Sequence, residues 1–343
     1  HQFLYELENV FQMIDSKHTG KIVNQWTKRS STIGRNVSIG LGTVVIGDSV
    51  QIDNNTKIGF LSVIRAKTIN ISDHVDIGSF CFWDTLKIEI GQDTRIRERV
   101  YVGGIQMKDS CLKIGKRVLI LQDTYINPTK PIIIEDDVGI GGSNRIFTHG
   151  SWQSALEGYP VIFKPVVIKK NVWLAWNVFV LHGVEIGENS TIGAGSIVNV
   201  NIPPNSLGSG NPCKIAVSGV NKWPRKITEK GQIELLDKIL IEFCDKLSLL
   251  GFMVNRKDGD NYRIIEVGKK HKIIYLTSNN YESKINMTNK KNLTLVYNYK
   301  TNKYINSEMT IDLRNKIRFG SDQLGEELVK YLSHYGIRFE RKV

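Results

Sequence analysis

Little in this sequence points to cross-linking or to a membrane. Its 343 residues include four cysteines, at 81, 111, 213 and 244, with no Cys-x-x-Cys spacing. That argues against a disulfide framework or a zinc site and fits a reducing, cytoplasmic setting. No stretch of about 18 or more apolar residues occurs, so no membrane-spanning helix is expected. The first 25 residues carry Glu6, Glu8 and Asp15 and no apolar block, so no secretory leader is expected either. Hydrophobic residues, 41%, suffice for a core, and charged residues, 23%, are ordinary for a globular protein. A disordered or collagen-like chain is thereby excluded, and the length suits two domains of about 100–200 residues.

Charge of one sign is in excess. There are 46 Lys and Arg against 34 Asp and Glu, a net +12. Residues 220–343 hold 24 and 15 of these, a net +9, whereas residues 1–219 are nearly balanced. The basic tail is read either as a module for an anionic polymer or, more plainly, as a solvated lysine-rich surface. Nucleic acid is not the expected partner.

The dominant signal is a repeat, which takes precedence in reading a fold. Ile-Gly occurs ten times, at Ile33, Ile39, Ile46, Ile58, Ile77, Ile90, Ile114, Ile140, Ile186 and Ile192. Ile168, Leu174, Val180, Ile186, Ile192 and Val198 recur every six residues, and small or β-branched residues follow each anchor four places on, as at Val172, Val178, Val184, Ser190 and Ser196. A six-residue period matches neither a helix nor simple strand alternation. It matches short parallel strands joined by turns, three sides to an 18-residue coil, with coils stacked at about 4.8 Å. Each anchor is expected to point inward, and the Gly, Asp, Glu or Asn after it to take the corner. Residues 33–207 suit roughly nine coils.

The most specific segment reads Asn171-Val172-Trp173-Leu174-Ala175-Trp176-Asn177-Val178, His182-Gly183-Val184-Glu185-Ile186-Gly187, Ile192-Gly193-Ala194-Gly195-Ser196-Ile197-Val198, Pro203-Pro204 and Gly210-Asn211-Pro212-Cys213-Lys214. This text resembles the hexapeptide-repeat acyltransferases, and sugar O-acetyltransferases among them. The resemblance implies a mainly β fold, a left-handed parallel β-helix, over residues 31–217. It also implies a homotrimer with active sites between subunits, acetyl-CoA as co-substrate with no metal, and a sugar or glycan hydroxyl as acceptor. Three positions depart from the family text. Trp176 replaces a small residue, His182 replaces a common Pro, and Asn199-Val200-Asn201 replaces a common Thr-Lys-Asp.

Flanking segments complete the expected organisation. Phe3, Leu4, Leu7, Val10, Phe11 and Ile14 have helical spacing, so residues 1–30 are expected to be an N-terminal helix and linker. Residues 218–231 read as a second linker. Residues 232–343 are expected to form a small basic α+β domain. Its helix faces are Ile233, Leu236, Ile239, Leu240, Phe243 and Leu247, then Leu324, Leu328, Tyr331 and Leu332. Tyr262–Val267 and Lys272–Leu276 alternate as a hairpin, and Leu293–Tyr299 and Met309–Leu313 read as strands.

The rhythm fails after Ile146 and resumes near Ile168. The intervening text opens Thr148-His149-Gly150-Ser151-Trp152 and resembles the family's active-site loop, which implies His149 as catalytic base. An imidazole titrates near neutrality and can accept the proton of an attacking hydroxyl or amine. Glu157, in the same loop, is a candidate to orient His149 or else a solvated charge. Asn144 and Asp123 are candidates for catalysis and acceptor binding, or else turn residues of the repeat. Trp152 is a candidate to stack on a sugar or to pack on another subunit. For the cofactor, the resemblance implies a groove beside the last coils, matched by Ala175, Trp176, Gly193 and Ala194, with Lys214 meeting a phosphate. Other functions remain to be weighed: N-acetylation of an amino sugar, a non-catalytic β-helix scaffold, and a metal hydratase of the same fold. The hydratase needs clustered His ligands, and His74, His149 and His182 are far apart in sequence.

Overall fold

The computed structural model describes residues 20–23, 31–278, 291–299, 301 and 304–342. The helix expected over residues 3–14 lies outside them. The chain divides into two compact units, residues 1–225 and 226–343.

The first unit is a three-sided stack of short parallel strands. One coil runs through Ile132–Ile134, Gly139–Ile140 and Arg145–Phe147. The next runs through Val166–Ile168, Trp173–Leu174 and Phe179–Val180, and a third through Glu185–Ile186, Thr191–Ile192 and Ile197–Val198. We call these three sides faces one, two and three. Successive coils pair in parallel register, Ile134 with Ile168, Ile140 with Leu174 and Ile146 with Val180. Face two stacks nine parallel strands from Ser38–Ile39 to Ser206–Ser209, and a tenth, Lys214–Ser218, lies antiparallel on the last. At the other end Gly20–Val23, within the segment expected as helix and linker, pairs in parallel with Thr43–Ile46.

The interior is a column of the anchors. Ile58, Ile77, Ile96, Ile120, Ile140, Leu174 and Ile192 are all buried, as are the residues four places after an anchor, including Thr56, Val75, Thr94, Thr124 and Ser190. The buried hydroxyls are satisfied by backbone carbonyls of neighbouring coils: Thr56 Oγ1 donates to Ser72 O at 3.0 Å, and Ser190 Oγ to Pro203 O at 2.8 Å. Two inward positions per side explain why the period is six.

Two expectations about corners are corrected. The glycine after each anchor does not form the turn. It lies where the next coil passes closest: a Cβ built on Gly40, Gly59, Gly78, Gly141 or Gly187 would meet backbone atoms at 2.4–2.6 Å. The turn comes two residues later, at a left-handed residue that is rarely glycine. Asn36, Asn55, His74, Asp93, Arg117, Asp137, Asn171, Asn189 and Asn205 form one such column, with φ of 52–60°. Asn and Asp are the side chains that tolerate this conformation best. Nor does every sixth residue bring a turn. Val63–Ile71 and Phe82–Ile90 are nine-residue strands that bend through a corner and join faces three and one in a single sheet. Their inward residues step by two on either side of the corner and by three across it, from Ala66 to Ile69 and from Thr85 to Ile88, and no Gly, Asn or Asp stands there to turn the chain.

The second unit is α+β. Its seven-stranded mixed sheet follows chain order: Val254–Gly259, Tyr262–Val267, His271–Leu276, Leu293–Tyr297, Met309–Asp312, Ile317–Gly320 and Glu340–Lys342. Helix Glu229–Leu249 starts inside the segment expected as linker, because the Thr228 side chain caps it by accepting from Gly231 N. Helix Gln323–Ser333 is capped by Asp322 in the same way. Leu236, Ile239, Leu240, Phe243 and Leu247 of the first helix and Leu324, Leu328 and Leu332 of the second share one core with sheet residues Ile265, Ile273, Val296 and Ile311. Strands 254–259, 317–320 and 340–342 escape sequence reading because two are very short and their residues are largely polar. Among the described residues no helix is long and apolar enough to cross a membrane.

The two roles of glycine give a test. Gly59→Ala must push a methyl into Ser79 backbone and side chain, and is expected to cost about 1–3 kcal/mol. Gly195→Ala meets open space and only a left-handed φ of 70°, which costs about 1 kcal/mol. Thermal unfolding of the two variants should rank them in that order.

Candidate functional site

The excursion between Ile146 and Val166 is closed at its base by an antiparallel pair, His149 opposite Phe163 and Gly150 opposite Ile162. Thr148 ties that base to the shaft. Fully buried, its Oγ1 accepts from Lys130 N at 2.9 Å and donates to Asn127 O at 2.8 Å, while its carbonyl accepts from Lys164 N at 2.9 Å. With Thr148 turned inward, alternation turns His149 outward.

His149 is half-buried between rings. Phe163 stacks on it at 5.8 Å between centroids with 11° between planes, and Phe147 lies at 6.4 Å. Phe147 belongs to a ladder along face three, Tyr101, Tyr125, Phe147 and Phe179, whose neighbours are 4.8–5.2 Å apart. His182, one coil on, is the next neighbour: a Cβ on Gly150 would lie 3.4 Å from its Nε2. The Lys164 side chain packs over Gly183 beside it. Burial, and secondarily the His182 imidazole, hold the His149 pKa below the usual histidine value. The Nδ1 atom of His149 is buried without a hydrogen-bond partner.

The other site candidates separate into those the fold gathers and those it does not. Glu157 ends an exposed 3₁₀ turn, Ala155–Glu157, and makes no bond to His149 Nδ1, so the expected orienting pair is not formed. Asn144 is a fully buried structural clamp. Its Nδ2 donates to Gly141 O at 2.6 Å and Ala175 O at 2.9 Å, and its Oδ1 accepts from Val178 N at 2.6 Å. Both amide hydrogens are used within the shaft, and the side chain has no exposed surface. Asp123 occupies a left-handed corner at the start of face three, whereas His149 follows its end. Arg99 grips the Asp123 carboxylate through Nε at 2.7 Å and Nη2 at 3.0 Å and holds its pKa down. It is not beside the imidazole. Trp152 stands almost wholly exposed on the excursion.

Ala175, Trp176, Gly193, Ala194 and Lys214 do come together, at the corner between faces two and three. Gly195 N donates to Trp176 O at 3.0 Å, Ala175 N to Ile192 O at 2.9 Å and Gly193 N to Gly208 O at 2.8 Å, and Lys214 pairs with Ser209 on the final strand. The Trp176 indole lies down over Gly142 of the preceding coil, its ring 2.3 Å from a Cβ built there; Trp173 lies over Gly139 likewise. Within one chain this corner and His149 sit at opposite edges of face three. Among the described residues no three His, Cys, Asp or Glu side chains converge as a metal-ligand set, and His74 sits three coils below His149.

Residues 165–200 match the family described as bacterial transferase hexapeptide (six repeats). The shaft resembles the hexapeptide-repeat acyltransferases. A Saccharomyces cerevisiae protein named as an acetyltransferase is 40% identical over 124 residues, 35% of this chain and 59% of the relative. The galactoside O-acetyltransferase of Escherichia coli is 33% identical over 111 residues, 29% of this chain and 54% of the relative. The chain thus spans little more than half the length of these relatives. A solved structure of galactoside acetyltransferase in complex with coenzyme A is 26% identical, with a TM-score of 0.28, over 39% of this chain and 56% of that one.

Sequence reading missed Phe163, Phe147 and the His149–His182 pair. Ile146 and its partner Val180 are 34 residues apart. The sixteen residues beyond one 18-residue coil are the excursion, and discounting them brings His182 one coil from His149.

Asn144→Ala is expected to leave Ala175 O and Val178 N without a side-chain partner, and Gly141 O with only the Thr124 hydroxyl, and to cost about 2–4 kcal/mol. Denaturant unfolding should show that loss. Turnover per folded molecule should stay within about threefold, which a catalytic amide would not allow.

Proposed function

We propose that this protein transfers an acetyl group from acetyl-CoA to a hydroxyl of a sugar or glycan, with His149 as general base. The observation that carries the reading is the half-buried, neutral-leaning imidazole of His149 at the base of the excursion, on a shaft whose repeat resembles that of acetyltransferases. The acceptor oxygen attacks the thioester carbonyl as His149 takes its proton. The tetrahedral intermediate collapses, the C–S bond breaks, and the proton passes from His149 to the departing CoA sulfur. No acyl-enzyme forms. A base with a lowered pKa stays deprotonated at neutral pH and is ready for the acceptor. Backbone N–H groups of the coil stabilise the oxyanion.

In this proposal the groove is the left-handed β-helix corner of Ala175, Gly193 and Ala194, with Trp176 as its floor and Lys214 as a point charge for a CoA phosphate. His149 and this corner lie at opposite edges of face three, so a homotrimer in which one chain's His149 meets a neighbour's corner makes a complete site. Trp152, exposed on the excursion, is then available to an acceptor sugar or to that neighbour. The reaction draws on soluble acetyl-CoA and is assigned to the cytoplasm.

His149→Ala is expected to lower kcat/KM at least ~10²-fold while acetyl-CoA still binds saturably by calorimetry. Full activity in the variant, or no binding to the wild type, sinks the reading. In the wild type, kcat/KM should fall on the acid side with a midpoint below the ordinary histidine value of ~6.5, because the proton is harder to place on His149. His182→Gln removes a like charge and should move that midpoint up; a pH–rate profile that does not shift would leave burial as the sole cause.

A further inference from the structure

The second unit carries an apolar projection that its own core does not use. Leu249, Leu250, Phe252 and Met253 fall within five residues at the end of helix Glu229–Leu249 and are 89%, 63%, 54% and 74% exposed. The turn that presents them is held by three backbone N–H groups. Gly251, at φ 86°, donates to Ser248 O at 2.9 Å, Phe252 N donates to Leu247 O at 3.1 Å, and Leu250 N to Lys246 O at 3.1 Å. This is a Schellman ending, in which a left-handed glycine reverses the chain and the last helical carbonyls are consumed. The Met253 carbonyl accepts from Gly268 N at 2.8 Å. The projection therefore offers side-chain hydrocarbon on a turn that its own N–H bonds hold in place, and its outward carbonyls suit the hydrated headgroup level of an interface rather than a bilayer's core.

The same Gly268 bond sets the turn Gly268-Lys269-Lys270 against the projection. Lys269 and Lys270 are exposed and pair with no described residue. Glu266, the carboxylate nearest in sequence, is shared by Lys257 and Lys272. Lys246, one turn before the tip, lies 5.3 Å over the Tyr331 ring. The whole unit, residues 226–343, has 22 Lys and Arg against 15 Asp and Glu, a net +7.

We propose that this tip docks the protein on an anionic lipid bilayer, Leu249, Leu250, Phe252 and Met253 entering the interface and Lys269 and Lys270 meeting lipid phosphates. Stable attachment to a bilayer takes two signals, an apolar one and a basic one, and here they share one loop pair. A small irregular tip suits a fluid interface, which needs no complementary shape. The proposal stands independently of the acetyl-transfer reading.

The test is flotation of the full chain with vesicles of phosphatidylcholine alone and of phosphatidylcholine mixed with phosphatidylglycerol. The protein is expected to float with the anionic vesicles, less so as salt rises, and not with the neutral ones. Lys269→Ala with Lys270→Ala should weaken binding about fivefold per lysine. Leu249→Ser with Phe252→Ser and Met253→Ser, all exposed positions, should abolish flotation while the thermal unfolding midpoint holds. The proposal is overturned if anionic vesicles do not bind, or if they bind the serine variant as well as the wild type. It is overturned equally if the serine changes abolish only self-association, which would assign the tip to a second copy of the chain.

Discussion

The rise from one coil to the next governs the first unit. Backbone N–H groups of one coil reach carbonyls of its neighbour, as Gly59 N does to Ile77 O at 2.7 Å and Gly141 N to Leu174 O at 2.8 Å. That spacing is fixed by hydrogen bonding and leaves no room for adjustment by side chains. Wherever two coils pass at their closest, only hydrogen fits on the Cα, and glycine recurs after the anchors. Inside, the coil admits one branched aliphatic and one small residue per side. Polar atoms there mostly add a bond between coils, as Thr56 Oγ1 and the Asn144 amide do, while the buried Thr85 Oγ1 makes none.

An excursion adds side chains to such a stack without breaking its rise. The sixteen extra residues between faces three and one leave the coils above and below paired, Ile134 with Ile168 and Ile146 with Val180. They also bring aromatic walls that a bare coil lacks. Phe163 comes from the returning arm, Phe147 from the face itself, and His182 from the coil beyond. The environment that lowers the His149 pKa thus has contributions from three places in the chain, while Thr148, locked on both sides, keeps the imidazole where they meet.

Much of this was legible in the sequence, for identifiable reasons. The six-residue period reports two inward positions per side, so the coil, the rung count and the extent of the excursion follow from Ile and Gly alone. The two described helices follow from their 3–4 spacing of leucines. The failures share a cause: one residue type serves two needs. Glycine after Ile is there for space, while asparagine and aspartate take the left-handed turns two residues beyond the expected corner. Asn144 and Asp123 look like site residues because the same amide and carboxylate that bind substrates also clamp carbonyls and pair with Arg99. The nearness of His149 and His182 was hidden by arithmetic, since the sixteen-residue excursion sets them 33 apart instead of 17. Trp173 and Trp176 over Gly139 and Gly142 were hidden in the same way.

A repeat held together by its own rise has no intrinsic length. Every coil is a template for another, and the top of such a column is an invitation to polymerise. The final strand, Lys214–Ser218, declines it. By running against Ser206–Ser209 it turns a parallel surface into an antiparallel one, so an incoming coil finds the wrong polarity and the wrong register. On face two, a single reversed strand thus closes the stack to a further parallel rung.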